Sequence, residues 1–325
     1  MERERLRDKF RGVLLGVAVG DALGAPFEGM SRVPPERLAG LVQDPGPLRY
    51  TDDTHMTLRL AESLVACRGF NGAHMAETFV RNFEAEPWRG YGSGPPEVFR
   101  LLRQGVSWDQ AGRTLFGGAG SFGNGAAMRV APAALFAFPN PGRAAQLARD
   151  AAMITHTHQL GVEGAALQSC AVTLLLHQMP FMPIDTHNFL IQLSSHLHLH
   201  LYVKKLVQIE ALLLDAPQEQ VLILLGNGIA AYEAVPAALH AFLRHPNSFR
   251  AAVTYAISLG GDTDTIASMT GALAGAYLGE KGIPPLWRAR VEGAPHLRQL
   301  ANALLDLVMA QSHLGEEPKH DDFTC

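Results

Sequence analysis

Glycine recurs at every fourth residue in Gly12, Gly16, Gly20 and Gly24, and small residues repeat at the same interval in Ala267, Gly271, Gly275 and Gly279. Inside a helix each glycine costs about 1 kcal/mol relative to alanine, so a row of them on one face needs a compensating contact. A face without side chains lets two backbones meet. The two stripes therefore predict two helices packed backbone to backbone, and they tie the chain to a helical architecture.

The rest of the chain agrees. Apolar residues at three-to-four spacing mark helices over 57–66, 144–154, 164–177, 228–243 and 266–278, while alternating strand patterns are nearly absent. Proline and glycine clusters at 33–35, 45–47, 90–96, 139–142 and 283–285 separate them. The expected fold is all-α: one compact multi-helix domain over residues 1–325, with no linker and no internal repeat. Hydrophobic residues make up 47% of the chain and charged residues 18%, the reverse of a disordered composition. A formal charge of -4 provides no basic field, which argues against a dedicated nucleic-acid binder.

Cys67, Cys170 and Cys325 are too far apart for a thiolate zinc site or a disulfide framework, and suit a reducing compartment. The first twelve residues alternate acids and bases, unlike a secretory or mitochondrial leader. No stretch approaches the roughly 20 consecutive apolar residues of a membrane span. The expectation is a soluble, intracellular, monomeric protein of the cytoplasm and nucleus, with the mitochondrial matrix left open.

Two acidic clusters stand out. YTDDT (50–54) carries Thr51, Asp52 and Asp53, and GGDTDT (260–265) carries Asp262, Asp264 and Thr265. Either alone reads as helix capping, since Asp and Thr are favoured at helix starts. Together they hold more carboxylates than two caps use, and adjacent carboxylates repel unless a cation sits between them. An all-oxygen ligand set with no Cys or His suits Mg²⁺ or Mn²⁺ rather than zinc.

Two further segments carry chemistry. FGGAGSFGNG (116–125) is dense enough in glycine to line a concave surface with backbone N–H groups that cradle phosphates, and its aromatics can stack on a base. Taken alone it also reads as an ordinary flexible loop. Glu28, between Pro26 and Gly29 beyond an apolar helix, reads either as a solvated loop acid or as a mobile catalytic carboxylate.

These pieces together resemble the ADP-ribosylhydrolase family. The markers are GDALGAPFEG (20–29), YTDDTHM (50–56), GGAGSFGNGAAMRVAP (117–132), THTHQLGVEGAALQ (155–168), LGNGIAAYEAVP (225–236) and ISLGGDTDTIASMTGALAGAYLG (257–279). Their order and content are more specific than any one of them. SFGNGAAMRV and GNGIAA look most like the branch that hydrolyses ADP-ribosylserine and also degrades poly(ADP-ribose).

The resemblance implies an all-α fold with two magnesium ions. Thr51, Asp52, Asp53 and Asp264 would hold one, and Asp262, Asp264 and Thr265 the other, with Asp264 between them. Glu28 would match the family's flap glutamate, and Glu28 and Asp264 would be the catalytic pair. Gly120, Ser121, Phe122, Gly123 and Asn124 would lie along the diphosphate and ribose, with His156 near the diphosphate. Phe116, Phe122 and Asn227 would surround the adenosine end. Phe122 stands where the family usually has tyrosine, which keeps stacking but loses a hydroxyl.

The segment from about Met179 to Gln220 fits the family poorly and looks shortened. It contains His196, His198 and His200, which read as surface histidines because residues two apart on a helix diverge. ADP-ribosylated proteins, poly(ADP-ribose) and O-acetyl-ADP-ribose are the implied substrates. Paired aspartates with magnesium on an all-α chain also suit an isoprenoid synthase, but the DTDT spacing, the glycine loop and a 7% aromatic content argue against a prenyl pocket. An inert ADP-ribose-binding relative would have had little reason to keep Glu28 and every candidate ligand.

Overall fold

In the computed structural model, which describes residues 2–314, helix Glu2–Gly24 and helix Thr263–Leu278 run antiparallel with their small-residue stripes in contact. A Cβ added at Gly12 would lie 2.6 Å from Gly275 O, one at Gly16 would lie 2.7 Å from the Gly271 carbonyl carbon, and one at Gly20 would lie 2.8 Å from Ser268 N. At the end of the seam, a Cβ at Gly24 would lie 2.6 Å from Asp264 N. The predicted backbone-to-backbone packing is present, and it ends where the second acidic cluster begins.

Around this pair the described residues form 18 α-helices and three short 3₁₀ turns, with no strand and only two isolated bridges, Leu48 to Val291 and Gly123 to Ala230. Helix Asp52–Cys67 delivers the first acidic cluster, and helices Gln159–His177, Ala231–Arg244 and Phe249–Ser258 pack about the central pair. Cys67 and Cys170 are free thiols, and Cys325 lies outside the described residues.

Three expectations need correction. Two helices, Glu2–Phe27 with its 3₁₀ end and Gln159–His177, are long and apolar enough to cross a membrane, but 83% of each apolar window is buried inside the fold. Neighbouring helices cover them on most sides, which is why they are apolar nearly all round. The helix expected from 228 begins at Ala231. Gly228 N instead donates to the Glu233 carboxylate at 2.9 Å, which holds 228–230 in a connection. His196 and His198 lie between helices Thr186–Ser194 and His200–Leu212, so helical divergence is not what separates the histidines. His198 and His200 are exposed, as expected, and His196 is half-buried.

Candidate active site

Two stapled turns bring the distant motifs to one cavity. Gly260 and Gly261 both have φ of +71°, a left-handed conformation that glycine adopts without strain. Gly261 N donates to Met30 O, and Gly29 N donates to Gly261 O, each at 2.8 Å. This two-way exchange fixes the Glu28 loop to the turn that launches the Asp262–Asp264 cluster. Asn227 braces the same turn: its carbonyl accepts from Asp262 N at 2.9 Å and its Nδ2 donates to Leu259 O at 2.9 Å.

The glycine loop is likewise held in place. Asn124 N donates to Ile229 O at 2.9 Å and Ala231 N donates to Phe122 O at 3.0 Å, which pins the loop to the 227–231 connection. Asn124 also gives its Nδ2 hydrogen to Asp262 Oδ2 at 2.5 Å, linking the loop to the acidic cluster.

The cavity of about 200 Å³ is lined by two chemically distinct sets of residues. Glu28, Asp52, Asp53, Asp262, Asp264 and Thr265 form one. Phe116, Ser121, Gly123, Asn124, His156 and Ile229 form the other. Of the predicted residues, Thr51, Gly120, Phe122 and Asn227 do not line it. Thr51 donates its hydroxyl to Asp21 Oδ1 at 2.9 Å. Gly120 turns with φ +74° against Thr157 and His158. Phe122, half-exposed, stands edge-on to His158 with ring centroids 5.6 Å apart. Phe116 is 65% exposed at the mouth.

The acidic set is electrostatically incomplete by itself. One carboxylate oxygen each from Glu28, Asp262 and Asp264 falls within a 4.8 Å group. Asp53 Oδ2 is buried without a hydrogen-bond partner. Burial, together with the neighbouring carboxylates, raises the pKa of Asp52 to about 8, that of Asp264 to about 10, and that of Asp53 well above the usual carboxylate range. Desolvation first and then Asp262 raise that of Glu28.

Among the described lining residues the one guanidinium, Arg129, is turned elsewhere, to Gly125 O, Ala151 O and Thr155 Oγ1. Convergent oxygen donors, an orphaned carboxylate oxygen and no opposing cation fit a hard divalent metal. Glu28, Asp262 and Asp264 are the residues close enough together to hold it, and Asp52, Asp53 and Thr265 line the same cavity.

Two functional features escaped the sequence reading. Asp21, fully buried, accepts from the backbone N and the hydroxyl of both Thr51 and Thr54 at 2.6–3.1 Å. Burial raises its pKa to about 6, against the opposing pull of those hydrogen bonds. It fixes the start of helix Asp52–Cys67, and an acid inside the apolar run VAVGDALG was the available signal.

The second is a relay behind His156. Arg129 Nη2 donates to Thr155 Oγ1 at 2.8 Å, and that hydroxyl lies 2.7 Å from His156 Nδ1. When that hydroxyl gives its own proton to Nδ1, the ring proton is on Nε2, beside Gly123 and Gly125 of the cavity lining. Desolvation, aided by Arg129, lowers the His156 pKa to about 3, so the ring is a neutral donor.

Residues 2–313 match the ADP-ribosylglycohydrolase family. This chain belongs to that family. The ADP-ribosylhydrolase ARH3 of Gallus gallus is 38% identical, over 93% of this chain and 94% of its own. That of Homo sapiens is 37% identical, over 92% and 93%. A solved "ADP-ribosylglycohydrolase-related protein complex" superposes with a TM-score of 0.73 at 30% identity, covering 94% of this chain and all of the other. The chain is thus an ADP-ribosylglycohydrolase-type glycosidase, and the all-α architecture is the fold of that family.

Proposed function

We propose that this ADP-ribosylglycohydrolase uses two magnesium ions to hydrolyse O-glycosidic ADP-ribose linkages. It releases ADP-ribose from serine on proteins, shortens poly(ADP-ribose) and cleaves O-acetyl-ADP-ribose. The observation that carries this reading is one cavity lined by five carboxylates together with a glycine loop and a neutral histidine. The serine preference is supported by SFGNGAAMRV and GNGIAA, the stretches most like the serine-directed branch.

Magnesium would supply fixed positive charge that orients the distal ribose through its hydroxyls. The protein groups do the rest. Asp52, Asp53, Asp262, Asp264 and Thr265 would form the ligand set, with Thr51 beside them at the start of helix Asp52–Cys67. Ser121, Gly123 and Asn124 line the path of the diphosphate, and His156 Nε2 donates a hydrogen bond to it. Phe116 and Phe122 flank the adenosine at the mouth.

An ordinary glycosidase needs an acid and a second carboxylate. We assign Glu28 the proton-transfer role because it lines the cavity beside Asp262 and Asp264, where it can protonate the departing serine oxygen. Having given that proton up, the same carboxylate accepts one from the water that attacks the anomeric carbon. Glu28→Gln is expected to bind ADP-ribose within a few-fold of wild type while turnover falls by about 10²-fold or more. Titration calorimetry beside a single-turnover assay checks this, and unchanged turnover would remove Glu28 from the chemistry.

The linkage is tested by ADP-ribose release from a serine-modified peptide beside an arginine-modified one. Release from serine alone supports the proposal, and release from arginine alone overturns it. The relay gives a separate prediction. Thr155→Val removes the hydroxyl that fixes the His156 tautomer, so KM is expected to rise about tenfold, the worth of one good hydrogen bond, with kcat little changed. The ¹⁵N spectrum of the ring should then lose its Nε2–H signature, and Thr155→Ser should restore both. A ring that keeps its signature in Thr155→Val would dismiss the relay.

A further inference from the structure

A second groove opens beside the catalytic cavity. Its volume is about 710 Å³, and Pro47, Arg49, Trp88, Gly90 and Glu292 are among its walls. Gly90 lines both spaces. A Cβ at Gly90 would come no closer than 3.7 Å to Asp52 Oδ1 and to Thr51, so the groove begins at the edge of the acidic cluster. Trp88 is 73% exposed, the highest exposure among the aromatic residues that stand out as exposed. An indole this exposed at the rim of the groove presents a large apolar face that a stacked base would cover.

The groove floor is rigid. Arg89 lies over the Tyr50 ring at 4.5 Å, donates to Tyr50 O at 3.0 Å and pairs with both Glu86 and Glu292. Those carboxylates neutralise Arg89. Arg49, exposed on the same wall, has no ion pair or hydrogen bond. The groove therefore presents one free indole and one free guanidinium, side chains that suit a base and a phosphate.

We propose that this groove is the leaving-group subsite for poly(ADP-ribose), holding the adenosine diphosphate portion of the unit from which the terminal ADP-ribose is cut. The proposal rests on the functional reading above and extends it to the far side of the scissile bond. In the polymer the leaving oxygen belongs to a ribose that carries adenine directly. A base-stacking surface one step from the acidic cluster is where that adenine falls, and the diphosphate that follows it reaches Arg49. A serine peptide places no base at this position.

The test compares two substrates in the full-length protein. Trp88→Ala is expected to lower kcat/KM on poly(ADP-ribose) about tenfold, through KM, and to leave a mono-ADP-ribosylated serine peptide within twofold of wild type. Trp88→Phe should retain most of the polymer activity. Arg49→Gln should weaken the polymer reaction and flatten its salt dependence. An equal fall on both substrates, a fall on the peptide alone, or no change would each overturn the proposal.

A binding measurement separates this from failure of the functional reading. In the Glu28→Gln background, poly(ADP-ribose) should quench tryptophan fluorescence and monomeric ADP-ribose should not, and the quench should vanish when Trp88 is also replaced by Phe. If wild type cleaves neither substrate, the functional reading fails while the quench still decides the groove. Quenching that survives loss of Trp88 overturns the subsite.

Discussion

Gly271→Val is expected to lower stability by about 4 kcal/mol or more, well beyond the usual 1–3 kcal/mol of an overpacked core. A Cβ there falls 2.7 Å from the Gly16 carbonyl carbon and closer still to its oxygen. The obstacle is backbone in the middle of a buried helix, so no side-chain rotation relieves it. For a chain of this size the melting temperature should fall by roughly 10 °C or the protein should fail to accumulate folded. Gly40→Ala provides the control. Gly40 is exposed within helix Pro35–Gln43 and a Cβ there meets nothing within 4 Å, so the change should be neutral or stabilising by up to about 1 kcal/mol. Denaturant melts of the two variants check the difference. Equal small effects would mean that the stripe is not a packing seam.

Asp264→Asn should separate stability from function. Turnover is expected to fall by about 10³-fold, as several kcal/mol of cation-dependent stabilisation are lost at 1.36 kcal/mol per tenfold. Without divalent cations the same variant should be more stable than wild type, by on the order of 2 kcal/mol, because it removes a buried carboxylate crowded by Asp262, Asp21 and Glu28. The pH dependence follows from the same crowding. Asp52 and Asp264 have folded pKa values raised to about 8 and about 10. Their contribution to the cation-free protein is fully present below the unfolded value near pH 4. It is lost as pH rises through the folded values. The cation-free melting temperature should therefore decline between about pH 4 and pH 10, and magnesium should lift it most at the alkaline end. A melting curve that ignores magnesium at pH 8 would contradict the assignment of the cluster.

Periodicity and charge made much of this molecule legible. The glycine stripes predicted close helix packing because a four-residue repeat of missing side chains has few uses other than close approach, and the fold shows that the two stripes face each other. The two acidic clusters and the glycine loop were visible because their residue types are concentrated in short runs. Asp21 was harder, since its four donors come from Thr51 and Thr54, thirty residues away. The Arg129–Thr155–His156 relay depends on which nitrogen faces which hydroxyl, and spacing does not carry that. For Thr51 the motif marks a ligand, and only the fold shows its hydroxyl hydrogen-bonded to Asp21. Trp88 lies in a turn whose sequence gives no periodicity, and its exposure is known only once the neighbouring helices are in place. The near-continuous apolar helices show that length and hydropathy do not distinguish burial in protein from burial in lipid.

The most direct test of the central claim is ADP-ribose release from a serine-modified peptide after exhaustive chelation, followed by back-titration with magnesium. The account predicts no release in chelator and saturable recovery with magnesium, with recovery abolished in Asp264→Asn. Undiminished release in chelator, or full recovery in Asp264→Asn, would contradict it.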